Sequence, residues 1–219
     1  MQPVLAVLLL AQICGFAFGQ PGCECKYYIS NLELGIVFDV SSSITPKDFI
    51  KGQHFLKEYL GKFQIGKDAV RVSLITFSRV AHAGDSFNLT TYNSYEDVAA
   101  AIDNIPHRAK GYTATGEGIK FMREQQLAPQ FVRNGATRVS VVITDGGSQS
   151  KIKTTEEAKQ ARDEGIILFA IGVGDEIKDD ELESITGDKS RVGRVDSYDK
   201  LTTITDWIAK NTCLKKEDK

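Results

Sequence analysis

The chain has no excess of charge of either sign and no dense run of basic residues. Its 27 Lys and Arg side chains nearly balance its 29 Asp and Glu side chains, giving a formal net charge of −2 over 219 residues. Nucleic-acid binding and attraction to anionic membranes both depend on clustered positive charge, so neither is predicted. The apolar stretch near the amino terminus is shorter than the roughly 20 residues that a membrane-spanning helix needs, and no later segment qualifies, so no membrane span is predicted.

The sequence also lacks the signatures of common enzyme classes. The segment Gly61–Asp68 resembles a phosphate-binding loop, but it has no Ser or Thr after its lysine and precedes a predicted strand. Gly172-Val173-Gly174 follows a strand, yet Ile177 stands where a dinucleotide-binding loop needs its third glycine. No Gly-x-Ser-x-Gly sequence is present. The histidines have no ligand or catalytic spacing, and we expect surface or helix positions for His54, His82 and His107. The chain is therefore predicted not to be an enzyme.

The amino-terminal segment has the features of a secretory leader. The first nineteen residues carry no charged side chain, and Val4–Leu10 is unbroken apolar sequence. Ala17-Phe18-Gly19 then supplies the small-x-small pattern that signal peptidase prefers. We predict a signal peptide over 1–19, a cysteine-containing lead-in over 20–31, one domain over 32–213 and a charged tail over 214–219. The predicted location is secreted and extracellular.

Removal of this leader would take Cys14 with it and leave Cys23, Cys25 and Cys213. They lie just before the first predicted strand and just after the last predicted helix, in a compartment where disulfides persist. We predict that Cys213 pairs with Cys23 or Cys25. Such a bridge closes a long loop and is worth on the order of 4 to 5 kcal/mol in the chain-entropy model. The third cysteine either links to another chain, giving a disulfide-linked dimer, or stays a free or capped thiol.

Predicted strands and helices alternate along the rest of the chain. Runs of branched and aromatic residues predict strands at 32–39, 69–77, 138–144, 166–171 and 191–195. Apolar residues at helical spacing predict helices at 46–63, 94–104, 117–126, 154–164, 179–185 and 197–210. The more polar Val80–Leu89 is predicted to be a short antiparallel edge strand, and it carries one glycosylation sequon at Asn88. The order predicts an α/β fold: a Rossmann-like, doubly wound, mostly parallel sheet with helices on both faces.

Three loops at predicted element ends are rich in oxygen-bearing side chains. Asp39-Val40-Ser41-Ser42-Ser43 follows the first strand, Thr113 lies in a glycine-bracketed loop before a helix, and Asp145 follows the most β-like run of the chain. Ligands of open α/β sheets bind at the carboxyl ends of strands, and these oxygen donors suit a hard cation such as Mg²⁺. Each loop alone has a simpler explanation, because Ser and Thr commonly cap helices and Asp-Gly commonly forms a turn.

Together, and in this order, the three loops resemble the metal-ion-dependent adhesion site of the von Willebrand factor type A family. That family includes integrin inserted domains and the globular modules of non-fibrillar collagens and matrilins. The runs Val141–Gly146 and Phe169–Gly174 are also typical of it. The resemblance covers about 32–213 and implies a von Willebrand factor type A domain of the secreted, extracellular-matrix kind.

The resemblance implies that Ser41, Ser43 and Thr113 bind the metal directly through their hydroxyls, while Asp39 and Asp145 act largely through water. Mg²⁺ is the implied ion, with Mn²⁺ and Ca²⁺ as alternatives. The implied partner is an extracellular matrix protein such as collagen, whose acidic side chain displaces a metal-bound water. The alternative function is a structural matrix component, including one associated with mineral or polysaccharide, in which the fold is a spacer and the metal site is not the main contact.

Overall fold

The computed structural model describes residues 31–213. The predicted signal peptide over 1–19, the lead-in up to residue 30 with Cys23 and Cys25, and the predicted tail over 214–219 lie outside the described residues. Predictions that concern those segments therefore stay predictions. Within residues 31–213, every helix is too short or too polar to span a bilayer.

Five parallel strands form the central sheet of the described chain. Their order across the sheet is β2-β1-β3-β4-β5. Every residue of β1 and β2 is buried, because helices cover both faces of the sheet and leave no solvated side. The structure confirms the five predicted strands, with bounds Leu32–Asp39 (β1), Arg71–Phe77 (β2), Thr137–Thr144 (β3), Ile166–Val173 (β4) and Val192–Val195 (β5).

Six α-helices of residues 31–213 pack on the two faces of this sheet. Side chains that alternate along a strand point to opposite faces. Phe38 accordingly packs with α1, α2 and α6 in one core cluster, whereas its neighbour Val37 packs with α3, α4 and α5 in the other. The predicted doubly wound α/β fold is confirmed. The helices are Pro46–Gly61 (α1), Tyr95–Asp103 (α2), Thr115–Phe121 (α3), Lys151–Asp163 (α4), Asp179–Thr186 (α5) and Thr205–Thr212 (α6).

The predicted antiparallel edge strand at Val80–Leu89 is wrong. In the described chain, this segment meets β2 only at two isolated antiparallel bridges, which pair Phe77 with Ala81 and Leu74 with Phe87. A short 3-10 helix, Ala83–Asp85, separates the two bridges, so no continuous ladder forms. The segment packs on the domain through two buried side chains, Phe87 and Leu89, on either side of an exposed asparagine.

Two predicted helices also differ in detail from the structure. The helix predicted at 117–126 is α3 followed by one π-helical turn, Met122–Gln126. That wider turn places the side-chain amide of Gln126 where it donates to the backbone carbonyls of Leu74 and Phe87, at 2.9 and 3.1 Å. The helix predicted at 197–210 is a 3-10 helix, Tyr198–Ile204, that continues as α6.

A buried ion pair fixes the amino edge of the sheet, where the strands begin. Glu33 in β1 is fully buried and accepts hydrogen bonds from the guanidinium groups of Arg71, at 2.6 and 2.8 Å, and Arg133, at 2.8 Å. Burial by itself raises the pKa of Glu33, but the hydrogen bonds from the two arginines outweigh it and hold that pKa below its ordinary value.

The described chain also enters and leaves at this amino edge. Residue 32 begins β1 there. The carboxyl end of α6 lies at the same edge, because the hydroxyls of Thr212 and Tyr59, in the last turn of α1, are 3.0 Å apart. Cys213 follows directly and packs, half-buried, against the first core cluster. The carboxyl edge of the sheet, where the candidate loops lie, is therefore opposite to the edge that holds residues 32 and 213.

Candidate metal site

The first candidate loop begins where β1 ends, between β2 and β3. Asp39 is fully buried there, and its two carboxylate oxygens accept hydrogen bonds from different sides. Oδ1 accepts the backbone N–H of Ser41 at 2.8 Å, and Oδ2 accepts the hydroxyl of Thr144, the last residue of β3, at 2.6 Å. These two bonds fix the orientation of the carboxylate. Sequence reasoning missed the role of Thr144, whose only signal is its position just before Asp145.

The second loop brings Thr113 to the same edge. Gly111 has a φ of 84°, in the left-handed region that favours glycine, and its carbonyl accepts the backbone N–H of Ser42 at 3.1 Å. This hydrogen bond ties the second loop to the first. Thr113 follows two residues later, and its hydroxyl donates to the hydroxyl of Ser41 at 3.0 Å.

The third loop follows β3 and carries Asp145. The hydroxyl of Ser43 donates to Oδ1 of Asp145 at 2.7 Å. The next residue, Gly146, lies against the second loop, because a methyl group added to it would come 3.2 Å from the hydroxyl oxygen of Thr113. A side chain at position 146 would therefore press on the hydroxyl of Thr113 and shift it, so glycine here lets the two loops approach closely.

The five predicted metal-site residues converge on one place. A continuous path of hydrogen bonds runs from Thr113 to Ser41 at 3.0 Å, from Ser41 to Ser43 at 3.1 Å and from Ser43 to Asp145 at 2.7 Å. Asp39 joins the path through the backbone N–H of Ser41. The site lies between β1 and β3, the topological switch point at which the chain, having placed β2 on one side of β1, places β3 on the other.

The hydroxyls of this path are not used to cap helices. Thr45, rather than Ser41 or Ser43, caps α1 by accepting the backbone N–H of Asp48 at 3.2 Å. The N-cap of α3 is Ala114, and no side chain accepts a capping hydrogen bond there, so Thr113 is not the cap either. The simpler explanation of these residues as helix caps is therefore excluded by the structure.

The electrostatics of the site favour a cation. Burial raises the pKa of Asp39 to about 7, with hydrogen bonds from Thr144 and Ser41 opposing this rise and the charge of Asp145 adding to it. Burial also raises the pKa of Asp145, although the hydrogen bond from Ser43 opposes the rise. Two carboxylates that are costly to ionise beside each other are stabilised by a positive ion placed between them.

The donor set fits a hard metal ion that is bound largely through hydroxyls. Residues 31–213 contain no cluster of three or more His, Cys, Asp or Glu side chains arranged to hold a metal. The two carboxylates of this site thus need the three hydroxyls, from Ser41, Ser43 and Thr113, to build a coordination shell. Oxygen donors of this kind suit Mg²⁺ better than softer ions that prefer sulfur or imidazole.

The other predicted site residues lie away from this edge or outside the described chain. Asn88 is exposed, and its backbone N–H donates to the hydroxyl of Thr91 at 3.0 Å. Cys213 is the one free cysteine of the described residues, and burial raises the pKa of its thiol to about 12. Its predicted partners, Cys23 and Cys25, lie outside residues 31–213.

A scan against protein-family models matches residues 33–207 to the von Willebrand factor type A domain. The chain belongs to that family. Its sequence is 30% identical over 187 residues to the collagen alpha-6(VI) chain of Mus musculus, covering 85% of this chain and 8% of that one. It is 29% identical over 179 residues to matrilin-1 of Gallus gallus, covering 80% of this chain and 35% of that one. The similarity to collagens and matrilins inferred from the sequence is thereby confirmed.

A solved structure adds a similarity at the level of the fold. Proximal thread matrix protein 1 from the mussel byssus, described with a zinc-occupied MIDAS motif, matches with a TM-score of 0.79 and 26% identity. The match covers 87% of this chain and 49% of the mussel protein. The chain therefore spans well under two thirds of the length of each of these relatives, and it shares one domain with them.

Proposed function

We propose that this chain is a secreted, non-enzymatic adhesion protein of the extracellular matrix. It binds its partner through a divalent ion, Mg²⁺ first and Mn²⁺ or Ca²⁺ as alternatives, held by Asp39, Ser41, Ser43, Thr113 and Asp145. The observation that carries the proposal is the hydrogen-bonded path that joins four side chains from Thr113 to Asp145 and to which the backbone N–H of Ser41 adds a fifth, Asp39. The zinc-occupied MIDAS motif of the mussel protein supports the assignment of a metal to this place.

The chain's own residues explain why such a site recognises a carboxylate. When bound, the ion supplies a Lewis-acidic position that an acidic side chain completes by displacing water. Ser41, Ser43 and Thr113 are neutral donors, so they leave most of the positive charge of a dication uncompensated. Asp39 is fixed by Ser41 and Thr144 and contributes its charge from the buried side. The exposed side of the site, next to Ser43, is the side open to a partner.

The proposed partner is an extracellular matrix protein such as a collagen, bound through an acidic side chain. Collagen and matrilin relatives make the matrix the first place to search. The test is binding of the secreted protein to immobilised collagens in Mg²⁺, in other divalent ions including Zn²⁺, and in EDTA. Asp145→Ala is the site variant, and Asp68→Ala, at an exposed aspartate before β2 at the opposite edge, is the matched control.

We expect binding to disappear in EDTA and in Asp145→Ala and to persist in Asp68→Ala. Binding that survives both EDTA and Asp145→Ala would reject the carboxylate mechanism. That result would favour the alternative function, a structural matrix component, including one associated with mineral or polysaccharide, whose main contact is elsewhere.

We also propose that a disulfide from Cys213 to Cys23 or Cys25 tethers the end of α6. Cys213 follows α6 immediately, so a bridge there restrains the helix and gives a module of fixed affinity. Mass spectrometry under non-reducing conditions identifies the pair and shows whether the third cysteine links two chains as a dimer. A free Cys213 in the secreted protein would remove the basis for the tether.

A further inference from the structure

The surface around the candidate metal site is acidic on one side. A cleft of about 260 Å³ beside Asp145 is lined by several carboxylates, namely those of Asp48, Asp145, Asp175, Glu176 and Asp196. The charges of Asp48 and Glu176 contribute to the raised pKa of Asp145. A partner that continues from the metal toward this cleft therefore meets negative charge.

The opposite side of the site, next to Thr113, is a basic pocket. This cavity of about 310 Å³ is lined by Arg79, His82, His107, Arg108 and Lys110, together with Val80. We call it the basic pocket. It shares walls with the metal-site loops, since the backbone N–H of Ala114 donates to the carbonyl of Ser78 at 2.8 Å. On its other wall, Nε2 of His107 lies 2.9 Å from the carbonyl oxygen of Ile44, the residue after Ser43.

Two cations of the basic pocket are not neutralised within the described chain. Arg108 is paired with Asp85 through two hydrogen bonds of 2.5 and 2.7 Å. Arg79 and Lys110, by contrast, are exposed, and neither forms an ion pair or side-chain hydrogen bond with any of residues 31–213. Burial and the charge of Arg108 lower the pKa of His82, so that side chain adds no positive charge at neutral pH. The net positive charge of the pocket comes from Arg79 and Lys110.

We propose that the basic pocket is a second recognition site, which binds another anionic side chain of the same protein segment whose carboxylate completes the metal shell. This inference rests on the proposed function, because the metal provides the first contact. Arg79 and Lys110 select the second anion and fix the direction in which the segment crosses the site. The preferred partner is thus a protein segment with at least two acidic side chains, lying toward the basic pocket and away from the acidic cleft.

Two features favour a protein segment over a sulfated polysaccharide. Val80 on the basic pocket and Tyr112 beside Arg79 are apolar side chains with 54% and 49% of their surface exposed. Apolar side chains of a peptide can cover them, whereas a polysaccharide offers little apolar surface. A uniformly charged polyanion that extended across the site would also be repelled by the acidic cleft around Asp145.

The test measures binding of a short fluorescein-labelled peptide, with two glutamates separated by apolar residues, to the secreted protein by fluorescence polarisation, in Mg²⁺ and in EDTA. Arg79→Glu/Lys110→Glu is the pocket variant. Lys67→Glu/Lys210→Glu makes the same change in net charge at exposed lysines, one just before β2 and one near the end of α6, both toward the amino edge. Heparin binding is measured in parallel, and circular dichroism checks the fold of each variant.

We expect the pocket variant to weaken peptide binding in Mg²⁺ by about tenfold relative to the Lys67/Lys210 control, because two attractive surface pairs become repulsive. Equal binding by the two variants, with EDTA still abolishing it, would reject the basic pocket and keep the metal mechanism. Binding that is lost in the pocket variant but insensitive to EDTA would reject the proposed function and keep an anion site. Pocket-dependent binding of heparin without binding of the peptide would overturn the assignment of a protein segment.

Discussion

The hydrogen bond from Thr144 to Asp39 gives a sharp test of how the site is built. Thr144→Val keeps the size of the side chain and removes the hydroxyl that donates to the fully buried carboxylate at 2.6 Å. A hydrogen bond to a buried charged group contributes about 1.5 to 3 kcal/mol. Asp39 already has a pKa of about 7, so protonation limits the loss, and we expect a decrease of about 1.5 to 2 kcal/mol in the free energy of unfolding without metal.

The same variant should also bind the ion less well. A residue that orients a metal-site carboxylate without binding the metal itself typically changes affinity by roughly 10- to 100-fold. Each tenfold loss removes about 1.4 kcal/mol of the stabilisation that saturating Mg²⁺ adds to the folded state. Denaturant unfolding in EDTA and in Mg²⁺ therefore separates the loss of the hydrogen bond from the loss of metal binding.

Thr76→Val is the matched control for this experiment. Thr76 lies in β2, is equally buried, and its hydroxyl has no hydrogen-bond partner among the described residues. The same substitution there should leave stability unchanged or slightly increased, because no hydrogen bond is lost. If the two variants unfold at the same denaturant concentration in EDTA and gain equally from Mg²⁺, then Thr144 does not hold Asp39 as described.

Three further predictions concern other parts of the domain. Gly118→Ala should lower the free energy of unfolding by about 1 to 3 kcal/mol, because the new methyl would lie 2.7 Å from a side-chain carbon of Val37. Gly84→Ala is the control, because a methyl group added at Gly84 would have no heavy atom within 4 Å. Thermal unfolding measures both variants, and equal stability of the two would contradict the expected crowding at Gly118. Glu33 has a lowered pKa, so its contribution to stability is present above about pH 4.5 and is lost as the pH falls and the folded carboxylate is protonated. Glu33→Gln should accordingly flatten the acid limb of stability measured in urea, and an unchanged slope would show that the arginine pair does not control it. Asn88→Gln should abolish a glycan-dependent shift on gels of the secreted protein, and the absence of any shift in the wild type would reject glycosylation.

Much of this fold is predictable from the sequence because its strands are buried on both faces. Mostly apolar runs rich in branched residues, such as those of β1 and β3, favour buried strands, and their ends mark the loops that carry Asp39 and Asp145. The prediction of an edge strand at Val80–Leu89 is wrong because a polar segment beside a sheet can be irregular and meet the neighbouring strand only at isolated bridges. The local sequence pattern cannot distinguish an edge strand from such an irregular segment, since the difference lies in whether the backbone stays beside β2.

The donor residues of the candidate site are predictable from the sequence, but the residues that position them are not. Its five donor residues are recognisable from their residue types and loop positions. The residues that position these donors are not recognisable in this way. Thr144, Gly111 and Gly146 act through contacts with residues that are far away in the chain. Nor does the sequence show the basic pocket, whose net positive charge comes from Arg79 and Lys110 because Arg108 is neutralised by Asp85.

The placement of residues 32 and 213 at the edge opposite the candidate metal site has a mechanical consequence. A partner that pulls on the Asp39 loop, while a tether holds the chain before β1, applies tension along the axis of that strand. β1 lies between β2 and β3 and is paired with both over nearly its full length. Because both points of force lie at the two ends of one extended strand, the covalent backbone of β1 carries the tension, and the hydrogen bonds to β2 and β3 are not pulled apart. The arrangement suits a module that must transmit load between its anchorage and its partner without unravelling.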